Sequence, residues 1–191
     1  MSNFYKALEL PLIPTDLIPD LETLALGNVA PQWSNKPRSA TLGNQHIDQD
    51  HYDRFDISVE LQTWVDQNIT NEYCNIGLSY MHSGPINLPH TDFTRDATML
   101  YLFDTGGDNV ETKFWRKKDD PIHHSNGLTP TTYNDLELLD SVVLKSNCWN
   151  ILDALCLHSV EGKTRPRISL QLGFRRDSRW ATHIFGDNYT G

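Results

Sequence analysis

Beyond residue 70 the chain breaks into short apolar runs, each closed by residues that favour turns. Strands are expected over 73–81, 88–92, 97–104, 110–116, 136–144, 148–152, 156–160 and 167–174. Between them stand Ser83-Gly84-Pro85, Gly106-Gly107-Asp108-Asn109, Lys145-Ser146-Asn147 and Gly162-Lys163. Glycine, proline, asparagine and serine reverse a chain at low steric cost, so these clusters punctuate the runs. About eight short strands at this spacing predict a mainly β fold, a sandwich or jelly roll.

The last run says how the roll is filled. In residues 167–174, Arg167, Ser169, Gln171 and Gly173 share one face, and Ile168, Leu170, Leu172 and Phe174 share the other, because side chains alternate along a strand. The apolar face suits packing against a helix. The polar face then lines the inside of the roll. An arginine there is costly unless something anionic meets it.

That helix is expected at 58–69, where Val59, Leu61, Trp64, Val65 and Ile69 roughly follow helical spacing and Ser58 caps the start. Upstream, one strand is expected at 5–10 and a short helix within 14–26, capped by Thr15 or Asp20. Residues 27–55 are polar and rich in Asn, Gln, Asp and Pro, and read as a long surface excursion. The expected organisation is one domain over 1–191. It comprises N-terminal helices and the loop excursion (1–70), a jelly-roll core (71–175) and a C-terminal extension (176–191) that packs on the roll through Trp180 and Phe185.

Composition removes several classes of function. The net charge of −9 disfavours a nonspecific nucleic-acid binder. It leaves room for a local basic pocket, and 113–118 and 165–179 are locally positive. Three cysteines, Cys74, Cys148 and Cys156, make neither a disulfide framework nor a zinc knuckle. Cys148 and Cys156 are expected to be buried small apolar residues, and a reducing cytoplasm is the expected compartment. The start of the chain lacks the charged and apolar regions of a signal peptide. No apolar run approaches the roughly 20 residues of a membrane-spanning helix.

Metal chemistry enters with His90-Thr91-Asp92. His-x-Asp alone is weak evidence, because 8 His and 18 Asp in 191 residues give roughly 0.75 such patterns by chance. The chain has two more, His46-Ile47-Asp48 and His51-Tyr52-Asp53. Both fall in the polar excursion and read as solvated loop features. His90 and Asp92 instead sit where strand alternation puts both on one face, with His158 and Arg167-Ile168-Ser169 downstream. Two imidazoles and a carboxylate form the facial triad that holds Fe(II) with open positions opposite. His123-His124 lies in a loop with Pro and Gly and is expected to be exposed. Trp115 to Lys118 read as a solvated strand end, and the long loop 119–135 as a lid.

From Tyr73 to Phe174 the chain resembles the Fe(II)/2-oxoglutarate-dependent oxygenases, which are built on a double-stranded β-helix, or jelly-roll, core. The family pattern is His-x-Asp, a distal His, then Arg-x-Ser on the last core strand, and it is met here by His90, Asp92, His158, Arg167 and Ser169. The nearest likeness is to the prolyl-hydroxylase-like branch, through Arg95, Thr98, Tyr101-Leu102, Gly106-Gly107 and Phe114. Leu102 stands where some members have a second cosubstrate tyrosine.

The resemblance implies that His90, Asp92 and His158 bind Fe(II) and form the catalytic centre. It implies that Arg167, with Ser169, pairs with the distal carboxylate of the cosubstrate 2-oxoglutarate, and that Tyr80, ten residues before His90, also contacts it. Arginine suits that task because its planar fork matches a carboxylate. The implied reaction couples oxidative decarboxylation of 2-oxoglutarate to oxidation of a C–H bond, in a hydroxylase acting on a protein or peptide side chain or a small metabolite. The expected partners are thus a small anionic cosubstrate and that substrate, with no nucleic acid and no membrane. Two alternatives remain: a cupin-like metal enzyme without 2-oxoglutarate, and a non-catalytic jelly-roll binding module.

Overall fold

The structure, a computed structural model, describes residues 4–25, 27, 29–34, 39–42, 45–48, 52–83, 86–124, 127 and 135–186. The strands in chain order are β1 (Tyr5–Leu8), β2 (Trp33–Ser34), β3 (Ser39–Leu42), β4 (Gln45–Asp48), β5 (Tyr52–Phe55), β6 (Asn75–Met81) and β7 (Ile86–His90). They continue as β8 (Ala97–Thr105), β9 (Glu111–Lys117), β10 (Leu136–Val143), β11 (Trp149–Asp153), β12 (Leu157–Glu161) and β13 (Arg167–Phe174). The helices are α1 (Leu21–Ala25), α2 (Val59–Asn68) and α3 (Thr182–Phe185), with a 3-10 turn at Thr15–Leu17.

Two sheets carry the core. One runs β1-β11-β8-β13-β6-β5-β2 and the other β10-β9-β12-β7, while β3 and β4 form a separate hairpin. Every pairing is antiparallel. From β6 to β13 the chain passes repeatedly between the two sheets, leaving four core strands in each. This is the expected mainly β jelly roll. β1 extends the larger sheet beyond β11, and β5 with β2 extends it beyond β6.

The outer face of the larger sheet is covered by the N-terminal helices. Leu61 and Val65 of α2 are fully buried, in one cluster with Leu78, Met99, Ile168, Leu170, Leu172 and Phe174. Each such aliphatic side chain gains about 1.5–3 kcal/mol on burial. Ser58 starts α2 in an extended conformation and accepts the Leu61 amide at 3.1 Å. Asp20, not Thr15, caps α1 by accepting the amides of Glu22 and Thr23, both at 3.1 Å. Trp180 and Ala181 join the cluster and α3 follows them, so the described part of the C-terminal extension, to residue 186, packs on the roll. None of the helices among the described residues is long and apolar enough to cross a membrane.

The excursion over 27–55 is more ordered than its polarity suggests. It contains four strands, and β5 pairs with β6 along Tyr52↔Met81 to Phe55↔Leu78. Asp53 and Phe55 are buried on its outer face, where the Asp53 carboxylate meets His82 Nε2 at 2.8 Å and accepts the Ser34 hydroxyl. A polar strand with one apolar anchor gives almost no hydrophobic period, which is why it reads as loop. Most of the expected lid lies outside the described residues, at 125–126 and 128–134. His51 and the side chains of His46 and Asp48 are also outside them.

Candidate metal and cosubstrate site

His90 ends β7 and His158 is the second residue of β12, and the two are direct cross-strand partners. Their rings lie 4.6 Å apart. Asp92 is not on the strand as expected. β7 stops at His90, and the turn that follows is tied down where the Asp92 amide donates to Ala154 O at 3.0 Å. Asp92 Oδ1 then lies 3.9 Å from Nε2 of both histidines. One donor atom from each of the three residues falls within 4.8 Å of the others.

The ring orientations suit a metal. His90 Nδ1 is bonded to Leu88 O at 2.8 Å and His158 Nδ1 to Cys156 O at 3.0 Å. A carbonyl only accepts, so each Nδ1 carries the proton and each Nε2 offers its lone pair inward. Burial, and then the neighbouring His158, lower the His90 pKa to about 4. The ring is therefore neutral at neutral pH, with its single proton on Nδ1.

Asp92 is fixed on its other side. Oδ2 accepts Arg95 Nε at 2.6 Å and the Thr98 hydroxyl at 2.7 Å, leaving Oδ1 for the centre. Burial alone would raise this carboxyl, but the Arg95 charge beside it holds it well below the usual carboxylate range. From Arg95 the polar chain runs on, Nη2 to Gln171 Oε1 at 3.0 Å and Gln171 Nε2 to Ser169 Oγ at 3.3 Å.

Arg167 opens β13 on the same inward face and is 4% exposed. Its Nη2 donates to Thr112 Oγ1 at 3.3 Å. No carboxylate among the described residues lies within ion-pair distance of it. Burial lowers its pKa to about 10, still far above neutral, so the charge is kept. Removing a lone guanidinium from water costs several kcal/mol in principle, a cost that an anion bound in the pocket would offset.

Thus His90, Asp92 and His158 converge, with Arg167 and Ser169 on the adjoining wall of one pocket. Tyr80 does not join them. It pairs with Ile168, not Arg167, and so points to the outer face. There it is 3% exposed, with its ring 4.8 Å from that of His82. Ser79 and Met81 flank the pocket in its place. A ten-residue offset across a turn carries no information about which face a side chain takes.

Thr112 and Gln171 had no assigned role in the sequence, although Gln171 shares the alternation of Arg167 and Ser169. His123 is not a free loop residue, since its Nε2 meets the buried Asp153 Oδ2 at 2.7 Å. Trp115, Arg116, Lys117 and Lys118 stay outside the pocket. Arg116 pairs with Glu137 and Lys117 with Asp120.

No protein-family model matches the sequence, and no curated protein matches it significantly. Solved structures do. The Escherichia coli protein ycfD, a ribosomal oxygenase, superposes with a TM-score of 0.53 at 12% identity, over 98% of this chain and 56% of its own. The chain shares its fold with an oxygenase. This chain spans little more than half the length of that protein. More distant is a Pseudomonas putida prolyl-4-hydroxylase, with a TM-score of 0.43 at 14% identity over 90% of this chain and 92% of its own. A Burkholderia pseudomallei oxidoreductase of the 2OG-Fe(II) oxygenase family gives 0.41 at 12% identity, over 85% and 83%.

Proposed function

We propose that the protein is an Fe(II)- and 2-oxoglutarate-dependent dioxygenase, a hydroxylase in its simplest outcome. The observation that carries this reading is Arg167, a buried cation without a carboxylate partner among the described residues, set in the pocket beside a donor group of two histidines and one aspartate. A cupin-like enzyme without cosubstrate has no use for that charge. The donor set fits Fe(II), because two neutral imidazoles and one carboxylate bind it without filling its coordination sphere.

In this reading His90 Nε2, His158 Nε2 and Asp92 Oδ1 hold the metal. Arg95 and Thr98 keep Asp92 ionised and turned so that only Oδ1 faces the centre. Arg167, steadied by Thr112 and with Ser169 beside it, receives the 5-carboxylate of 2-oxoglutarate. Bound iron would supply the oxidising chemistry, with dioxygen as the oxidant: one oxygen atom ends in succinate, formed from 2-oxoglutarate with loss of carbon dioxide, and the other in the oxidised substrate C–H bond. Leu100, Leu152 and Val160 line the same pocket and limit water around the reacting groups. In this reading 1–191 is a single domain, with the catalytic core in 71–175 flanked by 1–70 and 176–191.

The test is succinate formation from 2-oxoglutarate under air, with and without Fe(II). Iron-dependent succinate is expected from the wild type, and none from His90→Ala or Asp92→Ala. A protein that binds no transition metal on anaerobic reconstitution would instead be a non-catalytic module.

A further inference from the structure

β5 brings another arginine to the pocket face of the larger sheet. Arg54 is cross-strand partner to Ser79 on one side and to Trp33 on the other. Directly opposed residues share a sheet face, and Tyr52, two residues from Arg54, shares it too. Ser79 and Tyr52 both line the pocket. The Trp33 and Tyr52 rings meet edge to face at 5.2 Å, and Trp33 is 50% exposed.

Arg54 lacks the counter-ion that Arg95 has. Its Nη2 donates to Asn75 Oδ1 at 3.1 Å, and Arg95 Nη1 donates to the same oxygen at 3.5 Å. Two guanidinium groups therefore share one neutral acceptor. Arg95 is balanced by Asp92, whereas no carboxylate among the described residues lies within ion-pair distance of Arg54. Burial, and then the Arg95 charge, lower the Arg54 pKa. Gly77 makes room for the side chain, because a Cβ there would come within 2.9 Å of Arg54 Nε. Beside it the Ser79 hydroxyl is buried, 2% exposed and without a hydrogen-bond partner among the described residues.

The charges do not balance within the protein. Among the described residues that line the pocket, Asp92 is the only carboxylate, against Arg95 and Arg167, and Arg54 adds a positive charge from the same sheet face, next to the lining residues Tyr52 and Ser79. Fe(II) and dianionic 2-oxoglutarate cancel each other, so their binding leaves that positive surplus in place.

We propose that Arg54, with Arg95 behind it and Ser79, Tyr52 and Trp33 around it, receives an acidic group of the primary substrate. The enzyme then oxidises a C–H bond in a molecule or side chain that carries a carboxylate. This rests on the oxygenase reading above and names the substrate class for the same site.

The test uses protein loaded with Zn(II) and 2-oxoglutarate, so that the metal is redox-inert and Arg167 is occupied. It is titrated with benzoate and with benzamide, its neutral equivalent in shape, and followed through the arginine Nε–H signals by NMR. Benzoate is expected to shift the Arg54 signal and to bind about tenfold or more tightly than benzamide, the worth of a hydrogen bond to a charged group. Arg54→Gln should abolish that preference and Arg54→Lys, which keeps the charge and the packing over Gly77, should retain part of it. Equal binding of the two probes, or a preference that survives Arg54→Gln, overturns the proposal. Uptake of 2-oxoglutarate is read in the same sample. Its absence ends the oxygenase reading and this proposal together, whereas uptake with no benzoate preference ends this proposal alone.

Discussion

Asp92 uses its two oxygens for different tasks, and the residues around it make that possible. Arg95 and Thr98 hold Oδ2, so Oδ1 alone faces the histidines. Partners that orient a ligand typically contribute 10–100-fold to metal affinity. Arg95→Ala is therefore expected to weaken divalent-metal binding by about that factor, measured by competition with a chromophoric chelator. An unchanged affinity would show that Arg95 does not position Asp92. The two histidines were legible as pattern, and Arg95 and Thr98 as positions without a task. Their task could not be read, because the turn that carries Asp92 off the strand is set by a bond to Ala154 in a distant segment. The cysteines differ in a way a reagent can detect. Burial pushes the Cys156 thiol up, while Cys74 is exposed. At pH 8 iodoacetamide, which reacts with thiolate, should label Cys74 and spare Cys156 in the folded protein. Labelling of Cys156 at a comparable rate would show that the segment between β11 and β12 opens.

At the scale of elements, the position of Arg167 depends on a turn. Gly106, between β8 and β9, has φ of +85°, and a Cβ there would lie 3.0 Å from Arg167 Cβ and 3.1 Å from Arg165 O. Gly106→Ala combines a left-handed strain with a backbone clash. It should cost about 1–3 kcal/mol in thermal unfolding and weaken 2-oxoglutarate binding as well. Full stability in that variant would mean that the turn relaxes without moving Arg167. On the opposite face, loss of the α2 cap through Ser58→Ala should cost about 0.5–2 kcal/mol, read from denaturant midpoints. The β6–β13 strands were legible because apolar alternation and turn residues agree. β13 also announced its inward polar face. β5 was not legible, since Tyr-Asp-Arg-Phe carries its single apolar anchor, Phe55, beside a buried Asp53 that needs His82 and Ser34 to be stable inside. Pairing, which no local pattern encodes, makes it a strand.

At the scale of the molecule, two antiparallel sheets close over a pocket that is basic inside an acidic protein. The net charge is −9, while Arg95 and Arg167 outnumber Asp92 in the pocket lining and give it the opposite sign. The fold places His90 and His158 on the smaller sheet, Asp92 on the adjoining turn and Arg167 on the larger sheet. In the proposed function, the pocket between them is where metal and cosubstrate would meet. The measurement that bears most directly on this account is 2-oxoglutarate affinity, taken anaerobically on Fe(II)-loaded wild type and Arg167→Ala. Truncating one partner of a buried charge pair costs at least about 2 kcal/mol, so the variant should bind about thirtyfold or more weakly, with metal affinity intact. Failure of the wild type to bind 2-oxoglutarate, or equal binding by both proteins, would contradict the account.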